Sequence, residues 1–184
     1  MKTTNLTFTL TSSHPKMKLR EQLCAWLFDI SKQPYAYFFK RRKEAWKLSP
    51  SDLLSYPPGT LAHRLGLFLI DNEFELLDKL ESHDVFHVIT GMSTTVKDEL
   101  GMQFLLLGNG KRSVYMYLTI ILGYALLPEY GRHYKICYKR GKSYQAIEQL
   151  DLKKELNYKL SDIRRRLKKK PGRIRMYAHL NDYI

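Results

Sequence analysis

Apolar residues recur every three or four positions along most of this chain, the period of helices that bury one face. From Met17 to Ile30, Leu19, Leu23, Trp26, Leu27 and Ile30 share a face, with Arg20, Glu21 and Gln22 between them. Pro34 suits the first turn of a second helix through Trp46, which carries Tyr35, Tyr37, Phe38 and Phe39 beside Lys40 to Lys43. Aromatics beside a basic cluster suit a membrane interface; the simpler account is a core contact with a solvated basic face. Tyr56 to Thr60 reads as a turn whose threonine caps a helix over Leu61 to Ile70, ended by Asp71 or Asn72.

A long helix is expected from Glu73 to Thr90, closed by Gly91, and another after Thr94 or Thr95, where Thr95 and Asp98 have capping-box spacing. That places a helix-turn-helix pair at about residues 73–108. Ser113 caps an apolar helix to Leu127, and helices near Glu129 to Lys139, Ser143 to Leu150 and Ser161 to Lys170 complete the pattern. The predicted fold is all-α: a single-domain helical bundle over 17–168, preceded by a flexible N-terminal segment, 1–16, and followed by a basic C-terminal tail, 169–184. Val114 to Leu127 is apolar for fourteen residues and stops at Pro128, short of the roughly twenty that a spanning helix needs. It reads first as a buried helix and second as an interfacial one.

Composition narrows the partners. The chain has 184 residues, enough for one hydrophobic core, and a net charge of +13. Residues 1–50 hold ten Lys/Arg against three acids, 51–161 thirteen against thirteen, and 162–184 eight against two. Basic ends attract anionic surfaces, whether lipid headgroups or phosphates. The run from Arg164 to Arg175 has no interleaved aromatic before Tyr177, so the stacking platform of single-strand binders is missing and no nucleic-acid partner is expected. Cys24 and Cys137 stand outside any CxxC spacing, which excludes a zinc ribbon or disulfide framework and fits a reducing compartment. No apolar run near the N-terminus suits a secretory leader.

On a helical wheel, Leu76, Leu77, Leu80, His83, Asp84 and His87 fall within about 120° of arc. Ionisable groups on a core-facing stripe need partners, since each unpaired one costs about 1–3 kcal/mol. His83 and His87, at i and i+4, are spaced as in helix-borne divalent-metal sites. Glu99 follows His87 after eleven residues that contain the Gly91 to Thr95 turn. One straight helix would hold Glu99 about 24 Å from His83 at about 1.5 Å per residue, so only a reversal there brings them together. Two histidines and a carboxylate with an open position suit Zn²⁺ as a Lewis acid or Fe²⁺ as a facial triad. With Asp84 in second place the motif is not the metalloprotease HExxH, nor is the pattern of the HD phosphohydrolases complete.

His83, Asp84, Val85, Phe86 and His87, then eleven residues including Gly91, Met92 and Thr94, then Glu99, resemble the motif of the coenzyme Q (ubiquinone) biosynthesis protein four family. Pro58, Gly59, Thr60 and Leu61 followed by Phe68 are similar to that family's entry to a helix. Leu150, Asp151, Leu160, Ile163, Arg164 and Leu167 are similar to its closing segment, so the resemblance spans roughly residues 17–168. Two departures stand out: the Phe74 to His83 stretch is shorter than usual, and 169–184 has no counterpart.

The resemblance implies an all-helical fold and a divalent metal, zinc first with iron or magnesium as alternatives, held through His83, Asp84, His87 and Glu99. It implies a metal-dependent C1 decarboxylase/hydroxylase of a prenylated benzoate precursor, replacing ring carboxyl by hydroxyl; the alternative is a non-catalytic isoprenoid-binding scaffold that organises other quinone-biosynthesis proteins. Implied partners are an isoprenoid quinone precursor or prenyl lipid, an anionic membrane surface, those other proteins, and a second copy in a homodimer. Side chains around Leu105 to Leu127 would line a prenyl groove. The implied location is cytoplasmic and peripheral to the inner membrane in a bacterium, or the matrix side of the mitochondrial inner membrane in a eukaryote.

Overall fold

The computed structural model describes residues 18–39, 44–78, 80–147 and 150–168, and of 31–39 the backbone alone. The expected flexible segment 1–16 and basic tail 169–184 lie outside the described residues, as do the side chains of the aromatic and basic cluster at 35–43. The described chain is all-α, as its periodicity predicts. Its helices are α1 (Leu19–Phe39), α2 (Pro50–Leu54), α3 (Leu61–Asp71), α4 (Glu81–Thr90), α5 (Val96–Asn109), α6 (Val114–Leu126), α7 (Gly131–Lys142), α8 (Leu152–Glu155) and α9 (Leu160–Leu167). A 3-10 turn, Pro128–Tyr130, leads into α7.

The core gathers Leu53, Leu61, Leu65 and Leu69 from α2 and α3 with Val85 and Ile89 from α4, Met102 and Leu105 from α5, and Ile163 from α9. α5 and α7 approach so closely that two positions require glycine: a Cβ on Gly141 would stand 1.9 Å from the Leu105 carbonyl oxygen, and one on Gly108 2.1 Å from that of Tyr138. Asn109 seals the end of this pair. Its amide donates to the carbonyls of Gly141, Tyr144 and Gln145 at 3.2, 3.3 and 2.9 Å and accepts the Ile147 N–H at 2.8 Å. Two isolated bridges, Thr60 with Lys159 and Tyr144 with Lys168, tie the C-terminal segment to the body.

Several elements differ from the sequence pattern, each for a local reason. The two helices expected over 17–46 are one, α1, which runs through Pro34 and ends at Phe39. The long helix expected from Glu73 begins at Glu81 instead. Residues 72–74 are taken up by the end of α3: Asn72 Nδ2 donates to Phe68 O at 2.7 Å, Glu73 adopts φ 56°, and Phe74 N–H donates to Leu69 O at 2.8 Å. Phe74 then folds edge-on against Phe68, the hydrophobic contact that accompanies such helix ends. Glu81 starts α4 where its carboxylate accepts the Trp46 N–H at 2.8 Å.

The helix expected over 143–150 does not form in its described part, because Gln145 N–H donates to Leu167 O at 2.7 Å and Tyr144 bridges Lys168. The helix expected over 161–170 is α9, ending at Leu167. α2 and α8 were not expected; α2 opens on a capping box between Ser49 and Asp52 with Pro50 at its first position.

The reading of Val114 to Leu127 as a buried helix is corrected. Ser113 caps α6 as expected, accepting the Met116 N–H at 3.2 Å, but only Met116 and Gly123 of α6 are buried. Val114, Leu118, Ile121 and Leu122 are exposed, at 66, 63, 67 and 47%. An apolar stripe all round a helix cannot report which side faces the core, and here a single row touches it.

Candidate metal centre

Reversal of the chain after α4 creates the site. Gly91, at φ 67°, ends the helix in the left-handed region and donates its N–H to His87 O at 2.7 Å, as the sequence predicts. The turn is then pinned from α5: Asp98 Oδ2 accepts both the Ser93 N–H and the Ser93 hydroxyl, at 3.0 and 2.6 Å. Thr95 is the N-cap residue yet makes no side-chain cap bond, so the expected Thr95–Asp98 box does not form and Asp98 reaches back to Ser93 instead. α4 and α5 thus form the expected helix-turn-helix, starting eight residues later than predicted on the α4 side.

His83, His87 and Glu99 meet across this reversal. His87 Nε2 lies 3.2 Å from Glu99 Oε1, His83 Nε2 lies 3.2 Å from Glu99 Oε2, and the two histidine Nε2 atoms are 3.2 Å apart. Their ligand atoms all fall within 4.8 Å of one another, and the three form a group that can hold a metal ion. Asp84, the fourth residue of the expected set, is half-buried on α4 and outside this group. One residue on from His83, it is turned about 100° round the helix.

Burial is graded across the group. The side chain of His87 is 1% exposed, that of Glu99 22% and that of His83 34%, so the site opens on the His83 side. Phe68 stacks on His87 with ring centroids 5.5 Å apart. His87 Nδ1 lies 3.2 Å from the Met92 carbonyl, an acceptor only, so Nδ1 carries the proton of this bond. Burial alone would push the Glu99 carboxyl up; the charge and hydrogen bonds of His83 and His87 outweigh it and hold the carboxyl well below the usual carboxylate range.

These groups fit a divalent cation. With Nδ1 bonded to the Met92 carbonyl, Nε2 is the nitrogen that His87 turns to Glu99, at a distance that a proton or a metal ion can bridge. Ligand atoms at about 2.0–2.2 Å around tetrahedral Zn²⁺ stand about 3.3–3.6 Å apart, a little wider than the 3.2 Å spacing found here. The donor set, two imidazoles and one carboxylate, suits zinc or iron.

A neighbouring cluster does not make a catalytic triad. His133 Nε2 meets both Asp98 Oδ1 at 3.0 Å and Cys137 Sγ at 3.5 Å, so one nitrogen serves both partners where a relay would use two. Burial also raises the pKa of the Cys137 thiol, which disfavours the thiolate.

No protein-family model matches the chain, and no curated protein matches it either. Among solved structures, the chain is similar to a protein of Nostoc punctiforme PCC 73102 described as a candidate ubiquinone biosynthesis protein, with a TM-score of 0.57 at 20% sequence identity over 82% of each chain. The fold is shared.

Sequence reasoning placed His83, His87 and Glu99 together, but it assigned no role to Met92, Ser93 or Phe68. Met92 acts through its backbone carbonyl, which leaves no trace in residue type. Ser93 could have been read from its spacing to Asp98. Phe68 was part of the family resemblance without a stated contact.

Proposed function

We propose that this chain is a metal-dependent enzyme of ubiquinone (coenzyme Q) biosynthesis that acts at C1 of a prenylated benzoate precursor while resting on a membrane surface. The observation that carries the reading is the convergence of His83, His87 and Glu99 at one end of the α4–α5 reversal. The shared fold with a protein described as a candidate ubiquinone biosynthesis protein supports the substrate class.

A divalent metal held by His83, His87 and Glu99 would supply a Lewis acid for the substrate's carboxylate. The chain's own groups do the rest. Phe68 and the Met92 carbonyl hold the His87 ring in one orientation, and the partly exposed His83 leaves the approach to the site open. Replacing the ring carboxyl by hydroxyl breaks the C1–carboxyl bond, releases carbon dioxide and forms a C1–oxygen bond. This is a two-electron oxidation: water supplies the new oxygen, and dioxygen takes up the two electrons and two protons and leaves as hydrogen peroxide.

The membrane part of the proposal rests on α1 and α6, which pack together. Leu19, Leu23, Trp26 and Ile30 of α1 are exposed, as are Val114, Leu118, Ile121 and Leu122 of α6, and α6 carries no charged residue. Lys18 and Arg112 lie just before α1 and α6, and cations beside an apolar face suit an anionic headgroup layer. No helix among the described residues is long and apolar enough to cross a membrane. Pairing with a second copy and assembly with other quinone-biosynthesis proteins belong to the same proposal.

The experiment is incubation of the metal-loaded chain with a vesicle-borne prenylated 4-hydroxybenzoate under air, read by mass spectrometry. A product with hydroxyl in place of carboxyl is expected, and its loss in Glu99→Gln ties it to the site. A chain that retains the prenylated acid without converting it favours the scaffold reading, for which the exposed apolar face of α6 speaks.

A further inference from the structure

An α-helix leaves its last carbonyls without donors of its own. At the end of α4, three of them find donors on other helices. Phe86 O accepts the Thr90 hydroxyl at 2.6 Å, and His87 O accepts the Gly91 N–H at 2.7 Å. Val88 O and Ile89 O accept Nη2 and Nε of Arg164, from α9, at 2.7 and 2.9 Å. Thr90 O accepts Nη2 of Arg140, from α7, and Arg140 is itself held by a 2.9 Å bond from Nε to the Tyr144 hydroxyl. Two guanidinium groups from two other helices therefore cover three successive carbonyls.

The chain that leaves those carbonyls is the one that orients His87. Two residues beyond Thr90, Met92 offers the carbonyl that takes the His87 Nδ1 proton. Gly91 between them is in the left-handed region, and a Cβ there would stand 3.5 Å from Arg164 Nη2, so the guanidinium lies over the turn itself. A planar fork can hold two carbonyls at once, which a lysine ammonium on its flexible stem does far less well.

We infer that Arg164 and Arg140 are positioning residues of the metal centre: by holding the carbonyl end of α4 they set the path of Gly91 and Met92, and through Met92 O the tautomer and ring orientation of His87. This rests on the metal reading above. Partners that orient a ligating histidine through its second nitrogen contribute about 10–100-fold in metal affinity.

The test uses the full chain with Co²⁺ as the probe, reading affinity by calorimetry and coordination by the visible Co²⁺ band, below the melting temperature of each variant. Arg164→Met is expected to weaken Co²⁺ binding by about 10–100-fold and to change the band, with partial rescue in Arg164→Lys. Arg140→Met, which gives up one carbonyl instead of two, is expected to weaken it less. Ile147→Val, a core change outside the turn, is expected to lower the melting temperature and leave Co²⁺ affinity unchanged. If Arg164→Met and Arg140→Met bind Co²⁺ with the wild-type affinity and band, the positioning inference is overturned and the metal reading stands. If the wild-type chain takes up no Co²⁺, the metal reading falls and takes the inference with it.

Discussion

Nε2 of His87 and Oε1 of Glu99 stand 3.2 Å apart across a helix reversal, although eleven residues separate them in the chain. The contact exists because Gly91 ends α4 in the left-handed region and Asp98 holds Ser93 at the start of α5. It joins a buried imidazole to a carboxylate in a geometry that favours a cation.

Glu99→Gln keeps the shape of this contact and removes its charge. Metal affinity is expected to fall by at least the roughly 10–100-fold that loss of a mere orienting partner costs. Titration with Zn²⁺ or Co²⁺ measures it, and an unchanged dissociation constant would remove Glu99 from the ligand set.

Acidification of the metal-free chain reads the same carboxylate. Its pKa lies below the usual 4.5 in the folded state, so the ionised form favours folding. That contribution is complete above the unfolded pKa and is lost as pH falls through it toward the depressed folded value. Between about pH 5 and about pH 3 the urea midpoint of the wild type is expected to fall more steeply than that of Glu99→Gln. Parallel declines would mean that Glu99 gains nothing from His83 and His87.

The exposed face of α6 is expected to be a contact surface with little part in folding. Leu118 and Ile121 are 63 and 67% exposed, and surface changes of this kind usually alter stability by no more than about 0.5 kcal/mol. Leu118→Glu with Ile121→Glu should leave the melting temperature in place and reduce co-sedimentation with anionic vesicles. Undiminished sedimentation would turn the membrane proposal toward other parts of the chain.

Gly141→Ala tests the helix pair that carries Glu99. The added methyl would collide with the Leu105 carbonyl oxygen, a backbone atom that cannot rotate away, so a loss of about 3 kcal/mol, the upper end of ordinary overpacking, is expected. Urea unfolding checks it. A loss below about 0.5 kcal/mol would show that α5 and α7 yield easily.

Much of this architecture was legible in the sequence. Thr60, Gly91 and Ser113 punctuate helices where their chemistry says they should, and His83, His87 and Glu99 could be joined because only a reversal at Gly91 satisfies three ionisable groups. What was missed depends on tertiary partners. Leu76, Leu77 and Leu80 carry a helical period, yet Phe74 turning back on Phe68 and Glu81 binding the Trp46 N–H delay α4. α6 is apolar on every side, so its pattern could not say that most of it faces outward. Arg164 reads as part of a basic run, but its fork grips carbonyls seventy-five and seventy-six residues away.

The central claim is that His83, His87 and Glu99 hold a divalent metal. Its most direct test is elemental analysis with native mass spectrometry of chain purified without chelator or added metal. The account predicts one divalent ion per chain, lost in a His83→Ala, His87→Ala variant that still unfolds cooperatively. A wild-type chain without metal, or a double variant that carries as much as the wild type, would contradict it.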